Sequence, residues 1–209
     1  MLNYLYNKFY RTWKHNWAKS LKMRRLLYVN DILGGCLFDK SWLNGRKILD
    51  IGCSSGADFL QFFKDFNGLS LTGIDIRPQN IQQSNVTFLQ TDAEATPFQD
   101  KSFDLAVSIG VLEHIEPIEK LSKVITEIDR ISKAYVIIVP NISTFFEPHT
   151  VSFLWQLRAK NKKKKYDFLN YFSDETWLKF TGFSGAEITR FTYIPGLIKN
   201  TIIFKNPII

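Results

Sequence analysis

The run Ile48-Leu49-Asp50-Ile51-Gly52-Cys53-Ser54-Ser55-Gly56 carries an acid into a stretch of small residues suited to a ligand. Small residues bracketed by Gly52 and Gly56 let a backbone approach a ligand closely, and a helix starting just beyond would offer unpaired N–H groups and a positive dipole end. A pyrophosphate-binding loop wants Gly-x-Gly-x-x-Gly. Here the spacing is Gly52-x-x-x-Gly56, and the carboxylate of Asp50 comes two residues before the first glycine. An acid at that place suits a ligand carrying positive charge better than a pyrophosphate. More acid-bearing sites follow at Gly73-Ile74-Asp75-Ile76, at Thr91-Asp92-Ala93 and at Glu113-His114. His114, with an ordinary pKa near neutrality, is a candidate general base, set against a loop-packing role.

Each of these sites must be positioned by an element, and the pattern supplies one. Asn44-Gly45 is a turn dipeptide, and Lys47 to Asp50 reads as a short buried strand. Leu71–Asp75, Val86–Gln90, Leu105–Ile109 and Tyr135–Val139 read as further strands, with helical stretches near 57–66, 78–83 and 117–131. Strands alternating with helices imply a parallel sheet covered on both faces. In such a sheet the first loop lies at a carboxyl end beside the reversal of strand order, where ligands bind. Ser143 to Lys165 is looser, Ser173 to Thr181 reads as a capped helix, and Ala186–Tyr193 with Thr201–Lys205 reads as an antiparallel hairpin through Pro195-Gly196.

Taken together, these motifs resemble the class I S-adenosylmethionine-dependent methyltransferases, in the small-molecule branch of the methyltransferase type 11 kind, over about residues 45–205. The resemblance implies a doubly wound, mostly parallel seven-stranded α/β sheet and S-adenosylmethionine as cofactor. It implies cofactor contacts from Asp50, Gly52, Cys53, Ser54 and Gly56, ribose hydroxyls on Asp75 beside Ile76, adenine near Asp92 and Ala93, and Ser108 and Ile109 near the methionine part. Glu113 and His114 become the candidate catalytic pair. Two departures stand out: Ser54 replaces the family's usual glycine and is accommodated if its φ stays negative, and Ser132-Lys133-Ala134 replaces the usual Pro-Gly-Gly, implying a shortened loop.

Composition bounds the rest. The 209 residues fit one α/β domain, residues 45–209, preceded by a basic and aromatic helical cap, residues 1–44. Residues 1–30 carry Lys8, Arg11, Lys14, Lys19, Lys22, Arg24 and Arg25 and no acid, so the net charge of +7 comes from that segment. It has three readings: a lid over the cofactor, which the resemblance favours because N-terminal helices commonly close over the active site in that family, a nucleic-acid contact, or a helix on an anionic membrane, the last two aided by Lys162–Lys165. Cys36 and Cys53 have no metal or redox spacing, and no apolar run approaches the roughly 18 residues of a membrane span. The expectation is a cytoplasmic protein, with peripheral membrane contact open, that methylates a small, partly apolar acceptor. RNA methylation and a non-catalytic cofactor-binding or scaffold role are the alternatives; oligomeric state is not readable.

Overall fold

The computed structural model describes residues 22–56, 59–63, 65–66, 68–80, 85–147, 152–153, 169–194 and 197–206. Nine strands occur in these stretches: β1 (Lys47–Ile51), β2 (Ser70–Asp75), β3 (Val86–Gln90), β4 (Phe103–Ile109), β5 (Ser132–Pro140), β6 (Phe146–Glu147), β7 (Ser152–Phe153), β8 (Glu187–Ile194) and β9 (Ile198–Lys205). Helix α1 covers 22–32, followed by α2 (Lys40–Leu43), α3 (Ile118–Ile131) and α4 (Asp174–Trp177).

Seven strands form one sheet in the order β3-β2-β1-β4-β5-β9-β8. The pairs from β3 through β5 are parallel, and β9 runs antiparallel to both β5 and β8. This is the expected doubly wound sheet, with the final hairpin contributing the one reversed strand. β6 and β7 form a separate two-stranded sheet within the stretch whose pattern had loosened.

The centre of the sheet is buried on both faces because β1, β4 and β5 are nearly continuous apolar runs. On one face Ile48, Leu105, Val107, Val136 and Ile138 pack with Leu26 and Val29 of α1, with Leu33 just after it, and with Phe59, Leu60 and Phe63. On the other, Leu49, Ile51, Ala106, Tyr135 and Ile137 meet Leu121, Val124, Ile125 and Ile128 of α3, together with Trp177 and Phe183. The described part of the proposed cap, 22–44, thus shares the sheet's own core; 1–21 lie outside the described residues.

α3 ends at Ile131 and β5 starts at Ser132, so the loop shortened by Ser132-Lys133-Ala134 is reduced to nothing. Ser173 accepts the N–H of Thr176 at 3.2 Å and caps α4 as its sequence suggests. The helix expected over 57–66 is different: its described part is a 3₁₀ turn, Leu60–Phe63. Phe59, Leu60 and Phe63 keep a helix-like spacing into the core, but ring-rich residues between Gly56 and Gly68 favour a tighter turn over a propagated helix. Likewise 78–80 form no helix, and the remainder of the stretch to 83 falls outside the described residues.

Candidate functional site

A cleft of about 620 Å³ opens at the carboxyl ends of β1 to β4, on the line between β1 and β4 where strand order reverses. That size and place are those of a small-ligand crevice. Its walls come from the residues that directly follow each strand: Gly52 and Ser54 after β1, Ile76 and Arg77 after β2, Thr91 to Ala93 after β3, and Gly110 and Val111 after β4.

Gly52 has φ 68°, and a Cβ built on it would lie 2.4 Å from Cγ2 of Val111. The position is therefore closed to any side chain, which leaves bare backbone at the cleft floor. Gly56, at φ 74°, donates its N–H to the Cys53 carbonyl at 2.8 Å and tightens the same turn. Ser54 corrects the expectation of a negative φ: it stands at φ 47°. Its N–H donates to Oδ2 of Asp75 at 3.0 Å, and that bond offsets part of the cost of the left-handed conformation.

Asp75, only 6% exposed, also accepts the Arg77 N–H on Oδ1 at 2.9 Å. Each carboxylate oxygen has two lone-pair sites, so one on each oxygen stays available to a pair of adjacent hydroxyls. Asp92 is engaged differently: Lys120 Nζ lies 2.6 Å from Oδ2, and the Glu94 N–H donates to Oδ1 at 3.0 Å. Burial alone would raise the Asp92 carboxyl, but the hydrogen bonds from Lys120 and Glu94 outweigh it and hold the carboxyl below its ordinary value.

Of the residues singled out in the sequence, Gly52, Ser54, Asp75, Ile76, Asp92, Ala93, Ile109 and His114 line the cleft. Asp50, 3% exposed, lies beneath it at the end of β1. Cys53 turns inward, its sulfur so close to Gly73 that a Cβ there would be 2.8 Å away. Burial first, then the carboxylates of Asp50 and Asp75, push its thiol up to about 12. Ser108 is buried within β4 and does not line the cleft. Glu113 is corrected as well. It is 1% exposed and does not line the cleft, since the carbonyl of its loop is held by the Asn170 N–H at 2.7 Å and its carboxylate turns into the protein. Its Oε1 stands 4.0 Å from His114 Nε2, which permits orienting His114 but not touching a reactant.

Arg77, Val111, Glu116 and Lys120 line the cleft and were not singled out. Lys120 did carry a signal: it falls in the first turn of α3, where the helix dipole disfavours a cation unless an acid draws it there. Lys162–Lys165 lie outside the described residues.

The fold and the cleft at its switch point are those of a class I methyltransferase sheet. A methyltransferase domain model matches residues 49–139. Ajmaline N-methyltransferase of Rauvolfia serpentina is 29% identical over 114 residues, covering 49% of this chain and 38% of that protein. Sterol 4-C-methyltransferase of Caenorhabditis elegans is 35% identical over 96 residues, 41% of this chain and 27% of that protein. The chain spans well under half the length of these curated relatives. A SAM-dependent methyltransferase of Methanosarcina mazei superposes with a TM-score of 0.55 at 21% identity, over 78% of this chain and 93% of that one. A cyclase shares the fold equally well, with a TM-score of 0.56 at 17% identity over 86% and 80% of the two chains, so the fold alone does not carry a reaction. Residues 49–139 thus match a methyltransferase domain, and the chain is similar to the small-molecule class I S-adenosylmethionine-dependent methyltransferases.

Proposed function

We propose that the chain binds S-adenosylmethionine in this cleft and catalyses methyl transfer to a small, partly apolar acceptor. The observation that carries the reading is the pairing of a side-chain-free floor at Gly52 with the two oxygens of Asp75. The cofactor's chemistry fits this donor set. Asp50, Asp75, Asp92 and Glu116 in and beneath the cleft favour a ligand with ammonium and sulfonium charges, the Asp75 oxygens suit a ribose diol, and Ile76 and Ala93 offer apolar wall to a purine. When bound, the cofactor supplies an electrophilic methyl group to an acceptor nucleophile.

The chain's own contribution is to hold the two reactants in line and exclude water. His114, with its side chain 43% exposed at the cleft wall, is the group able to take a proton from an acceptor that must lose one, and Glu113 behind it is a positioning residue. Relatives whose names specify sterols and fatty acids support an apolar acceptor. The basic segment 1–30 is read as the contact for an anionic partner, nucleic acid or a membrane surface.

Calorimetric titration with S-adenosylmethionine, and separately with NAD, tests the reading. Micromolar binding of the first alone is expected, and Asp75→Asn is expected to weaken it about 10- to 100-fold through loss of charge-assisted hydrogen bonds. Unchanged affinity in that variant would remove Asp75 from the site, and binding of NAD alone would overturn the proposal.

A further inference from the structure

We infer that Asn170 is a positioning residue, which fixes the turn that presents His114 to the cleft. The clamp stands on its own geometry, while its effect on the reaction rests on the methyl-transfer reading. The chain leaves β4 at Ile109, packs Val111 over Gly52 and enters a 3₁₀ turn, Leu112–His114. With three residues per turn, successive side chains point about 120° apart. Leu112 and Glu113 are accordingly buried, while the His114 side chain stands at the cleft wall. One step of rotation would bury the imidazole and turn the Glu113 carboxylate outward. The turn closes on the His114 N–H, donated to the Val111 carbonyl at 2.9 Å, and on the Ile115 N–H, donated to the Leu112 carbonyl at 3.3 Å. A turn this short does not hold its rotation unaided.

Asn170 supplies the missing constraint with three hydrogen bonds. Its N–H donates to the Glu113 carbonyl at 2.7 Å, and its Nδ2 donates to the carbonyls of Leu112 at 3.1 Å and Ile115 at 2.7 Å. A primary amide carries two N–H groups on one nitrogen and can therefore bridge two carbonyls, whereas a hydroxyl has one donor and an ionised carboxylate none. Asn170 is itself held by its neighbours in the chain. Leu169 is buried, the ring of Phe172 packs edge-on against Trp177 at 5.1 Å, and Ser173 caps α4. The clamp thus ties the His114 turn to a segment seated in the core.

Asn170 does not line the cleft, so any effect on the reaction passes through His114. The 4.0 Å approach of Glu113 Oε1 to His114 Nε2 lasts only while the turn keeps its rotation. Gly52, Asp75 and Asp92 stand on other loops and keep their places without the clamp.

Amide hydrogen exchange and proton NMR of the full chain test the inference. Asn170→Ala removes both side-chain donors, and Asn170→Asp keeps the side chain's shape without them. In both variants exchange at the His114 and Ile115 amides is expected to quicken about 10- to 100-fold, with the amides of β4 and α3 changing by less than about threefold. A general loss of stability would instead quicken all of these amides together. The chain has three histidines, and the His114 imidazole signal is the one that disappears in His114→Gln. S-adenosylhomocysteine is expected to shift that signal in the unaltered chain and to shift it far less in either Asn170 variant, while binding within about threefold of its original affinity. Quickening no greater at the turn than in β4 and α3, or an undiminished His114 shift in both variants, would overturn the positioning role. So would binding that leaves the His114 signal of the unaltered chain unmoved. Failure of S-adenosylhomocysteine to bind the unaltered chain would overturn the cofactor reading, and the exchange rates alone would then decide the clamp.

Discussion

Ser54 sets the loop's geometry against its own preference. A non-glycine residue in the left-handed region costs about 1–2 kcal/mol, whereas glycine's greater freedom in the unfolded chain costs about 0.5–1 kcal/mol. The first outweighs the second, and the bond from the Ser54 N–H to Asp75 belongs to the backbone and survives the change. Ser54→Gly is therefore expected to stabilise the protein by about 0.5–1 kcal/mol in urea unfolding. A loss of stability would mean that the hydroxyl has a role the loop conformation does not reveal. The glycines and acids of the site were legible in the sequence because each lies at or just beyond the carboxyl end of a strand. The sign of φ at Ser54 was not, because it depends on Asp75, brought alongside by the next strand.

Elements were legible in proportion to how local their causes are. α3 could be read because its apolar positions recur at helical spacing over 14 residues. The turn Leu60–Phe63 and the two-residue strands β6 and β7 are too short for a period to show. How α3 seats is a matter of contact rather than pattern: a Cβ on Gly182 would lie 2.5 Å from the Ile125 carbonyl oxygen, and Tyr135 donates its hydroxyl to the Gly182 carbonyl at 3.2 Å. Gly182→Ala must push the turn Thr181–Phe183 away from α3, and a loss of about 1–3 kcal/mol is expected, read as a lower melting temperature. Cofactor affinity of the folded fraction should be unchanged, since Gly182 is not part of the cleft wall.

At the scale of the molecule, carboxylates held by ion pairs and hydrogen bonds make stability depend on acid. Burial opposes ionisation of Glu127, but hydrogen bonds from Arg130 and Thr96 outweigh it and hold its carboxyl below the ordinary range; Lys133, the Lys47 N–H and Arg46 do the same for Asp104. A carboxyl depressed by folding contributes stability above its unfolded value of about 4, and the contribution is lost as pH falls through the folded value. Unfolding free energy should therefore fall from neutral pH to about pH 3. Glu127→Gln should be less stable at neutral pH, by about 1–3 kcal/mol, and should show a flatter acid limb in parallel urea titrations. The succession of strands, the acids at their carboxyl ends and the methyltransferase resemblance were readable from local sequence, because these depend on residues adjacent in the chain. Only the tertiary structure decided that Val111 closes over Gly52, that Lys120 holds Asp92 and that Glu113 faces inward while His114 faces the cleft. These contacts join separate strands and loops, and the packing of the sheet, rather than any local spacing, brings them within reach.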